Sequence, residues 1–360
     1  MNKEQTNISR HQLTFYCPKC KGGLSFNGEV YQCEPCHSRY PVVLGIPDFR
    51  VYPDPYINFE EDRDKGKRIA EKYNSMNFNE LVKYYWKITP DVPAELANRF
   101  ARYAYMGVER GYNSLRMAES LEDSDIVQRN SSLLELGCGT GGLLVAANTF
   151  YKETIGVDIA FRWLVIARKR LEEVQVSAKL ICCCAEYLPF PEGYFDTVIA
   201  VNVIEHTQMQ QELFQESSRV LSRSGKFFAL TVNRFSLTPE PHVRVWGVGF
   251  LPRKLMSQYV YWMKQVPYKN IKTLSYFELQ RILRYSDFQK YSVSLPDISK
   301  TEFQQLTLGE KFQVILYRAL KGMPIIRGFL LLMGPVFSII AYKQKNHNSI
   351  EEAKTANTDS

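Results

Sequence analysis

Apolar and polar positions change rhythm several times along the chain. Between residues 131 and 233 short apolar runs alternate with amphipathic stretches, the pattern of βαβ units and a parallel sheet. The runs SLLELG, TIGVDI, KLICC, FDTVIAV and KFFALTV predict five strands. AFRWLVIARKRLEEV predicts a helix between the second and third, and QQELFQESSRVLSRSG another, ended by Gly225. Residues 55–130 are polar and helical in pattern, with aromatic groups in LVKYYWKI and RFARYAYM. After residue 233 come a Pro- and aromatic-rich insertion, a helix in SYFELQRILRYS, a strand in KYSVSL and a longer apolar stretch. Nothing reaches the roughly 20 uninterrupted apolar residues of a membrane-spanning helix.

These rhythms divide the 360 residues into four parts and imply a doubly wound α/β fold. A cysteine-bearing segment (1–50) closes with the short strand and turn of YPVVLGIPDFR, and a helical linker and cap (51–130) follows. The α/β domain (131–345) carries an insertion at 234–270, and a polar, disordered tail (346–360) is expected at the end.

Composition narrows the picture only slightly. Hydrophobic residues at 45% and charged residues at 23% are ordinary for a globular protein. A net charge of +7 permits an anionic substrate, RNA or a membrane surface without requiring any of them. No basic stripe of the density expected for RNA binding appears. The start, MNKEQTNISRHQLTF, lacks the apolar core of a secretory signal. The cysteines fall in three groups, unlike a disulfide framework, so a reducing cytoplasm is the expected location.

The first group, Cys17, Cys20, Cys33 and Cys36, has the spacing C-x2-C-x12-C-x2-C. Two such knuckles present four thiolates to one zinc ion, and a closed four-sulfur site is structural rather than catalytic. His37 follows the last of them, but four sulfurs already complete the site. FYCPKCKGGLSF…YQCEPCHSRYPVVLGIPDF also resembles the rubredoxin-like zinc ribbons found at the front of many methyltransferases. Cys182, Cys183 and Cys184 are consecutive strand residues that point to alternate faces, and are expected to be small core residues.

LLELGCGTGGLL, from Leu133 to Leu144, follows a strand with a glycine-rich turn, where backbone N–H groups approach a ligand at a helix N-terminus. The glycines suit NAD, FAD or S-adenosylmethionine alike. Glu135, as a carboxylate at the mouth of this loop, disfavours a pyrophosphate and suits a sulfonium with an ammonium group. Asp158, at the end of the next strand, can take both ribose hydroxyls of an adenosine. Downstream, CAEYLPFPEGYFDTVIAVNVIEH closely resembles the third and fourth motifs of class I S-adenosylmethionine-dependent methyltransferases, and SRVLSRSGKFFALTVNR their next helix, turn and strand.

This resemblance spans roughly residues 131–235 and implies a seven-stranded Rossmann-like sheet that binds S-adenosylmethionine. By it, Gly137 and Gly139 border the methionine part of the cofactor, with Glu135 nearby, and Gly141 is a further cofactor-binding residue. Asp158 takes the ribose, Ile159 lies against adenine, Ala185 and Glu186 flank the adenine edge, and Asn202 closes the site. The family often has Asp where this chain has Cys184, which leaves adenine recognition to backbone groups or to Glu186.

Methyl transfer to oxygen or nitrogen can need a base with a pKa near the working pH, for which histidine is the natural group. His11, His37 and His347 lie in or near the ribbon and in the tail, leaving His206 and His242. His206 reads equally as a base or a helix-capping residue, and His242 as a base, a substrate ligand or an ordinary loop histidine. Ile204-Glu205-His206 is also similar to metal-using O-methyltransferases with a further Glu three residues before the Glu-His pair; Asn202 stands there, and no catalytic metal is expected.

The acceptor is not named by the sequence. O-methylation of a small molecule or a glycan or lipid precursor is expected; the alternatives are an RNA or protein methyltransferase that docks through the ribbon, and a non-catalytic S-adenosylmethionine-binding partner protein. Aromatic and basic residues of the insertion, Trp246, Phe250, Arg253, Lys254, Tyr259, Tyr261, Trp262 and Lys264, read as a packed cap or as an acceptor platform. Residues 312–333 read as an amphipathic cap helix before the last strand, FSIIAYKQK, with Gly334-Pro335 as the break between them. Arg318, Lys321 and Arg327 among their apolar groups keep peripheral membrane contact open.

Overall fold

Residues 13–119, 129–297, 303–304 and 307–343 are described by the computed structural model, with backbone alone at 129, 130 and 310. His11, His347 and the tail 346–360 lie outside the described residues. The N-terminal unit is a four-stranded antiparallel sheet of β1 (Leu24–Phe26), β2 (Val30–Cys33), β3 (Arg39–Val43) and β4 (Ile46–Pro47), in that order. The strand and turn expected in YPVVLGIPDFR are a hairpin instead. Leu44 (φ 52°) and Gly45 (φ 75°) form the two-residue turn, whose left-handed conformations match the twist of paired strands. Cys17, Cys33, Tyr40 and Phe49 from this unit pack into the same buried cluster as Leu134, Val157 and Phe195.

The linker forms α1 (Phe59–Glu71), α2 (Phe78–Lys87), α3 (Ala94–Tyr105) and α4 (Gly107–Glu119). The side chain of Asn58 caps α1, and Asn77 with Glu80 forms a reciprocal capping box on α2, so orphan N–H groups at both starts are satisfied. A seven-stranded sheet follows, ordered β7-β6-β5-β8-β9-β11-β10. Its strands are β5 (Arg129–Leu136), β6 (Tyr151–Asp158), β7 (Lys179–Cys182), β8 (Phe195–Val201), β9 (Leu221–Val232), β10 (Lys290–Ser294) and β11 (Val336–Tyr342). The first five are parallel, in registers such as Leu134 opposite Ile155 and Val198, while β11 is antiparallel to β9 and β10. Period-two alternation sends Leu134 and Leu136 to one buried face and Leu133 to the other.

Helices α5 (Gly142–Ala147), α6 (Phe161–Glu173) and α7 (Gln210–Val220) connect the parallel strands. Helix α7 ends at Val220, not Gly225: Leu221 already pairs with Phe195, and β9 starts there. Gly142 is where α4 and α5 touch, since a Cβ there would stand 2.4 Å from the Gly107 carbonyl carbon. The insertion builds α8 (Arg253–Lys264) over its own small core of Val245, Val248, Met256, Val260 and Tyr268. Trp246, Tyr261 and Trp262 face outward, so part of the aromatic set packs and part is exposed. Helix α9 (Tyr276–Arg284) begins at a Ser275/Glu278 capping box, the S-x-x-E visible in SYFE.

Two helices, α10 (Leu308–Gly322) and α11 (Pro324–Met333), stand where one cap helix is expected. Pro324 starts α11 because its missing N–H and fixed φ suit a first helical turn. Helix α11 has no fully buried residue; Ile326, Leu330, Leu331 and Met333 are half-buried, and the others are exposed. Among the described residues no helix is long and apolar enough to cross a membrane.

Candidate active site

Strand order reverses at β5, between β6 and β8, and an open α/β sheet binds ligands in the crevice beyond the C-terminal ends at such a point. A cavity of about 320 Å³ lies there. Gly137, Asp158, Ile159, Ala185, Glu186 and Asn202 line it, with His206 at one side. Gly137 has φ 67°, and a Cβ there would stand 2.4 Å from Val203 Cγ2, so backbone and neighbour both require glycine. Asn202 holds a left-handed φ of 55°, which Asn tolerates better than most residues, and donates to the Tyr103 hydroxyl (3.0 Å).

Gly139 and Gly141 shape the loop from outside the lining. The Gly139 N–H donates to Asp158 Oδ2 and the Ala160 N–H to Oδ1, both at 2.8 Å, which fixes the carboxylate at the end of β6. Burial pushes the Asp158 carboxyl up to about 6, against the two N–H bonds that favour its charge. Gly141 (φ 73°) is the residue before α5. Glu186 is buried and its Oε1 accepts from the N–H groups of Gln208 (2.8 Å) and Met209 (3.3 Å), tying the third motif to the approach of α7.

Glu135 is not at the mouth of the loop. It is buried outside the cavity lining, where loss of water and the nearby Asp158 push its carboxyl well above the ordinary range. Its Oε2 has no hydrogen-bond partner among the described residues. A carboxyl so placed discriminates poorly between a pyrophosphate and a sulfonium.

Part of the cavity wall comes from a segment that motif reading passed over. Tyr52, Asp54, Pro55 and Tyr56, between the N-terminal sheet and α1, line it together with Arg162 and Trp163 of α6. Behind them runs a buried ion network. Arg50 binds Asp48 (2.7 Å) and Asp62 (2.5 Å) and donates to the Ile159 carbonyl (3.0 Å), while Arg162 binds Asp62 (2.7 Å) and Asp54 (2.9 Å). Asp62 also accepts from the Phe161 N–H (2.9 Å), acting as the N-terminal cap of α6 across a tertiary contact. The signal was the dense acid–base spacing of DFRVYPDPYINFEEDR, which reads as a solvated face until the fold buries it.

His206 and His242 meet. Their Nε2 atoms are 3.1 Å apart and the rings are edge-on. His206 is brought by the turn after β8 and His242 by the loop that opens the insertion. Glu240 shapes that loop: its Oε2 accepts from the N–H groups of His242 (2.9 Å) and Val243 (3.0 Å), and its Oε1 faces His242 Nδ1 at 2.5 Å. Burial lowers His206 to about 4, so its imidazole is neutral. Burial opposes the charged form of His242 too, but the Glu240 carboxylate outweighs it and holds this imidazole above its ordinary value. Cys182, Cys183 and Cys184 are buried and face different surroundings, the Cys182 thiol toward the Ile159 carbonyl and the Cys184 thiol toward that of Tyr52. In the N-terminal unit the sulfurs of Cys17, Cys20, Cys33 and Cys36 lie within 4.8 Å of one another.

Residues 134–229 match a family model described as a methyltransferase domain. An uncharacterized protein of Methanocaldococcus jannaschii is 32% identical over 108 residues, 30% of this chain and 44% of that one. A ubiquinone biosynthesis O-methyltransferase of Coxiella burnetii is 26% identical over 113 residues, 31% of this chain and 48% of that one. A solved phosphoethanolamine N-methyltransferase 2 of Haemonchus contortus aligns at 16% identity and a TM-score of 0.45, covering 68% of this chain and 57% of that one. The alignments to the curated relatives thus span less than half of each relative. The match at residues 134–229, within a seven-stranded Rossmann-like sheet, supports a class I S-adenosylmethionine-dependent methyltransferase domain there.

Proposed function

We propose that the chain transfers a methyl group from S-adenosylmethionine to an oxygen of a small molecule or of a glycan or lipid precursor. The carrying observation is the cavity at the β5 switch point, where Gly137, Asp158, Ile159, Ala185, Glu186 and Asn202 converge beside His206. The bound cofactor supplies a methyl group activated by a positive sulfur. Asp158 accepts from the ribose hydroxyls, Ile159 packs on the adenine, and the loop at Gly137 admits the methionine chain. Neutral His206 and the Glu240-linked His242 form the polar edge where an acceptor hydroxyl is oriented. Related enzymes named as O-, N- and C-methyltransferases share the domain, and the choice of oxygen rests on this histidine edge.

The four cysteines fit a structural zinc ion: two knuckles already bring the four sulfurs together without disulfides, and thiolate is a ligand this metal favours. Calorimetry tests the donor, with binding of S-adenosylmethionine or S-adenosylhomocysteine expected and absence of heat from folded, zinc-loaded protein refuting it. Labelled methyl is expected to enter a small molecule or precursor in cell extract; label in RNA or protein would overturn that acceptor class.

Helices α10 and α11 support contact with an anionic bilayer surface, in keeping with a lipid-linked acceptor. Ile325 is 90% exposed and Leu308 86%, with Phe312, Ile315, Leu316 and Phe329 also open and Arg327 among them. Arg318 and Lys321 are engaged by Asp297. Full-length protein should co-sediment with phosphatidylcholine–phosphatidylglycerol vesicles, and Ile325→Asp with Phe329→Asp should weaken this at least about tenfold, each side chain contributing about 1.5–3 kcal/mol. No sedimentation with vesicles at low salt would exclude the contact.

A further inference from the structure

The histidine pair has a third member. Glu205 precedes His206, is wholly buried, and offers a ligand atom within 4.8 Å of those of His206 and His242. Its Oε2 accepts from the Thr231 hydroxyl (2.8 Å), while Oε1 has no hydrogen-bond partner among the described residues. A buried carboxylate oxygen without a partner is costly, and a carboxylate with an oxygen within 4.8 Å of two imidazole nitrogens has the surroundings of a metal ligand.

The separation of the two imidazoles agrees with this. Two imidazole nitrogens about 2.0–2.1 Å from a tetrahedral zinc ion stand about 3.3 Å apart, and the two Nε2 atoms are 3.1 Å apart. With Nδ1 of His242 donating to Glu240, its Nε2 presents a lone pair toward His206. A carboxylate on the far nitrogen of a ligating histidine is the usual outer partner in zinc sites, fixing tautomer and ring orientation. Two imidazoles and one carboxylate suit zinc; magnesium or calcium takes an all-oxygen set.

We propose that Glu205, His206 and His242 form a second zinc site, distinct from the four cysteines, with Glu240 as its positioning residue and an open ligand position toward the cavity. Asn202 is not needed as a ligand, because the fold supplies His242 from 36 residues away. Binding of the ion stands on geometry alone. Its role rests on the methyl-transfer reading: held by Glu205, His206 and His242, the ion would act as a Lewis acid that lowers the pKa of an acceptor hydroxyl, whose proton would pass to water while its oxygen forms the O–C bond as the C–S bond breaks.

Full-length protein stripped of metal and reloaded with Zn²⁺ is expected to hold one equivalent beyond that of the four cysteines, counted by elemental analysis. Glu205→Gln and His242→Ala should each lose that equivalent alone, and Glu240→Gln should weaken it by about 10- to 100-fold. Co²⁺ in its place should give weak visible bands without the thiolate charge-transfer band of the cysteine site. A wild-type protein that takes up a single equivalent overturns the site, as does a second equivalent retained by both Glu205→Gln and His242→Ala. Since Glu205→Gln keeps the side-chain shape, its melting curve separates loss of metal from loss of fold. Calorimetry with S-adenosylhomocysteine on the same samples separates the two readings. Cofactor binding without the second ion overturns the ion site alone; a second ion without cofactor binding overturns methyl transfer and leaves the ion site supported.

Discussion

Replacing Asp62 with alanine is expected to destabilise the fold by about 3–5 kcal/mol, more than any other single change in the linker. Its side chain is fully buried and bonds Arg50, Arg162 and the first N–H groups of α6. Loss of the cap costs about 1 kcal/mol. The remainder comes from two buried guanidinium groups that keep Asp48 and Asp54 but lose the carboxylate they share. Against a typical stability of about 5–15 kcal/mol, this is a large fraction. The melting temperature should fall by roughly 5–15 °C. Asp64→Ala on the same helix serves as the control: its pair with Lys67 is solvent-exposed, and its loss should change stability by less than about 1 kcal/mol. A loss below about 1 kcal/mol for Asp62→Ala would mean that the network contributes no more than a surface pair.

The network has a functional side. Arg50 holds the Ile159 carbonyl and Arg162 lines the cavity, so Asp62 braces the cavity wall from behind. It also joins the cysteine-bearing unit to the sheet, since Asp48 bridges to Cys182 and the Phe49 N–H donates to the Cys182 carbonyl (2.7 Å).

Which of these features could be read along the chain follows from the range of the interactions. Strand and helix positions in 131–233 were legible because the central strands, buried on both faces, write apolar runs, and the helices, buried along one face, write a period. The cavity-lining motif residues were legible because they sit at strand ends, fixed by sequence distance from the apolar runs. Asp62 was not, because in FEEDRDKGKR it is one acid among solvated neighbours and only α6 distinguishes it. Glu135 was legible as a carboxylate but not as a buried one, since its surroundings are set by Asp158 and Arg170 from elsewhere in the chain. His206 and His242 were each visible alone. Their meeting depends on how the insertion folds back over β8, and on Glu240, which hydrogen bonds along its own loop turned toward the ring.

Asp158 carries the second large effect. On the proposed reading, the Asp158 carboxylate would accept from the ribose hydroxyls above its pKa of about 6; below it the group carries a proton and would accept less well. The upward shift is caused by burial, so the binding-competent charged form is gained as pH rises through 6 and lost as pH falls through it. At pH 5 about a tenth of the carboxyl is ionised, and affinity for S-adenosylhomocysteine should be about tenfold weaker than at pH 8. Asp158→Asn should flatten this dependence. Asp158→Ala should lose about 3–6 kcal/mol of binding, two hydrogen bonds to a charged group at about 1.5–3 kcal/mol each. It also frees the N–H groups of Gly139 and Ala160, loosening the glycine loop that the carboxylate now holds. Calorimetry from pH 5 to pH 8 on the three proteins measures all of this. A flat wild-type profile, or an alanine variant within about threefold of the wild type, would remove Asp158 from the ribose and leave it as the anchor of the loop alone.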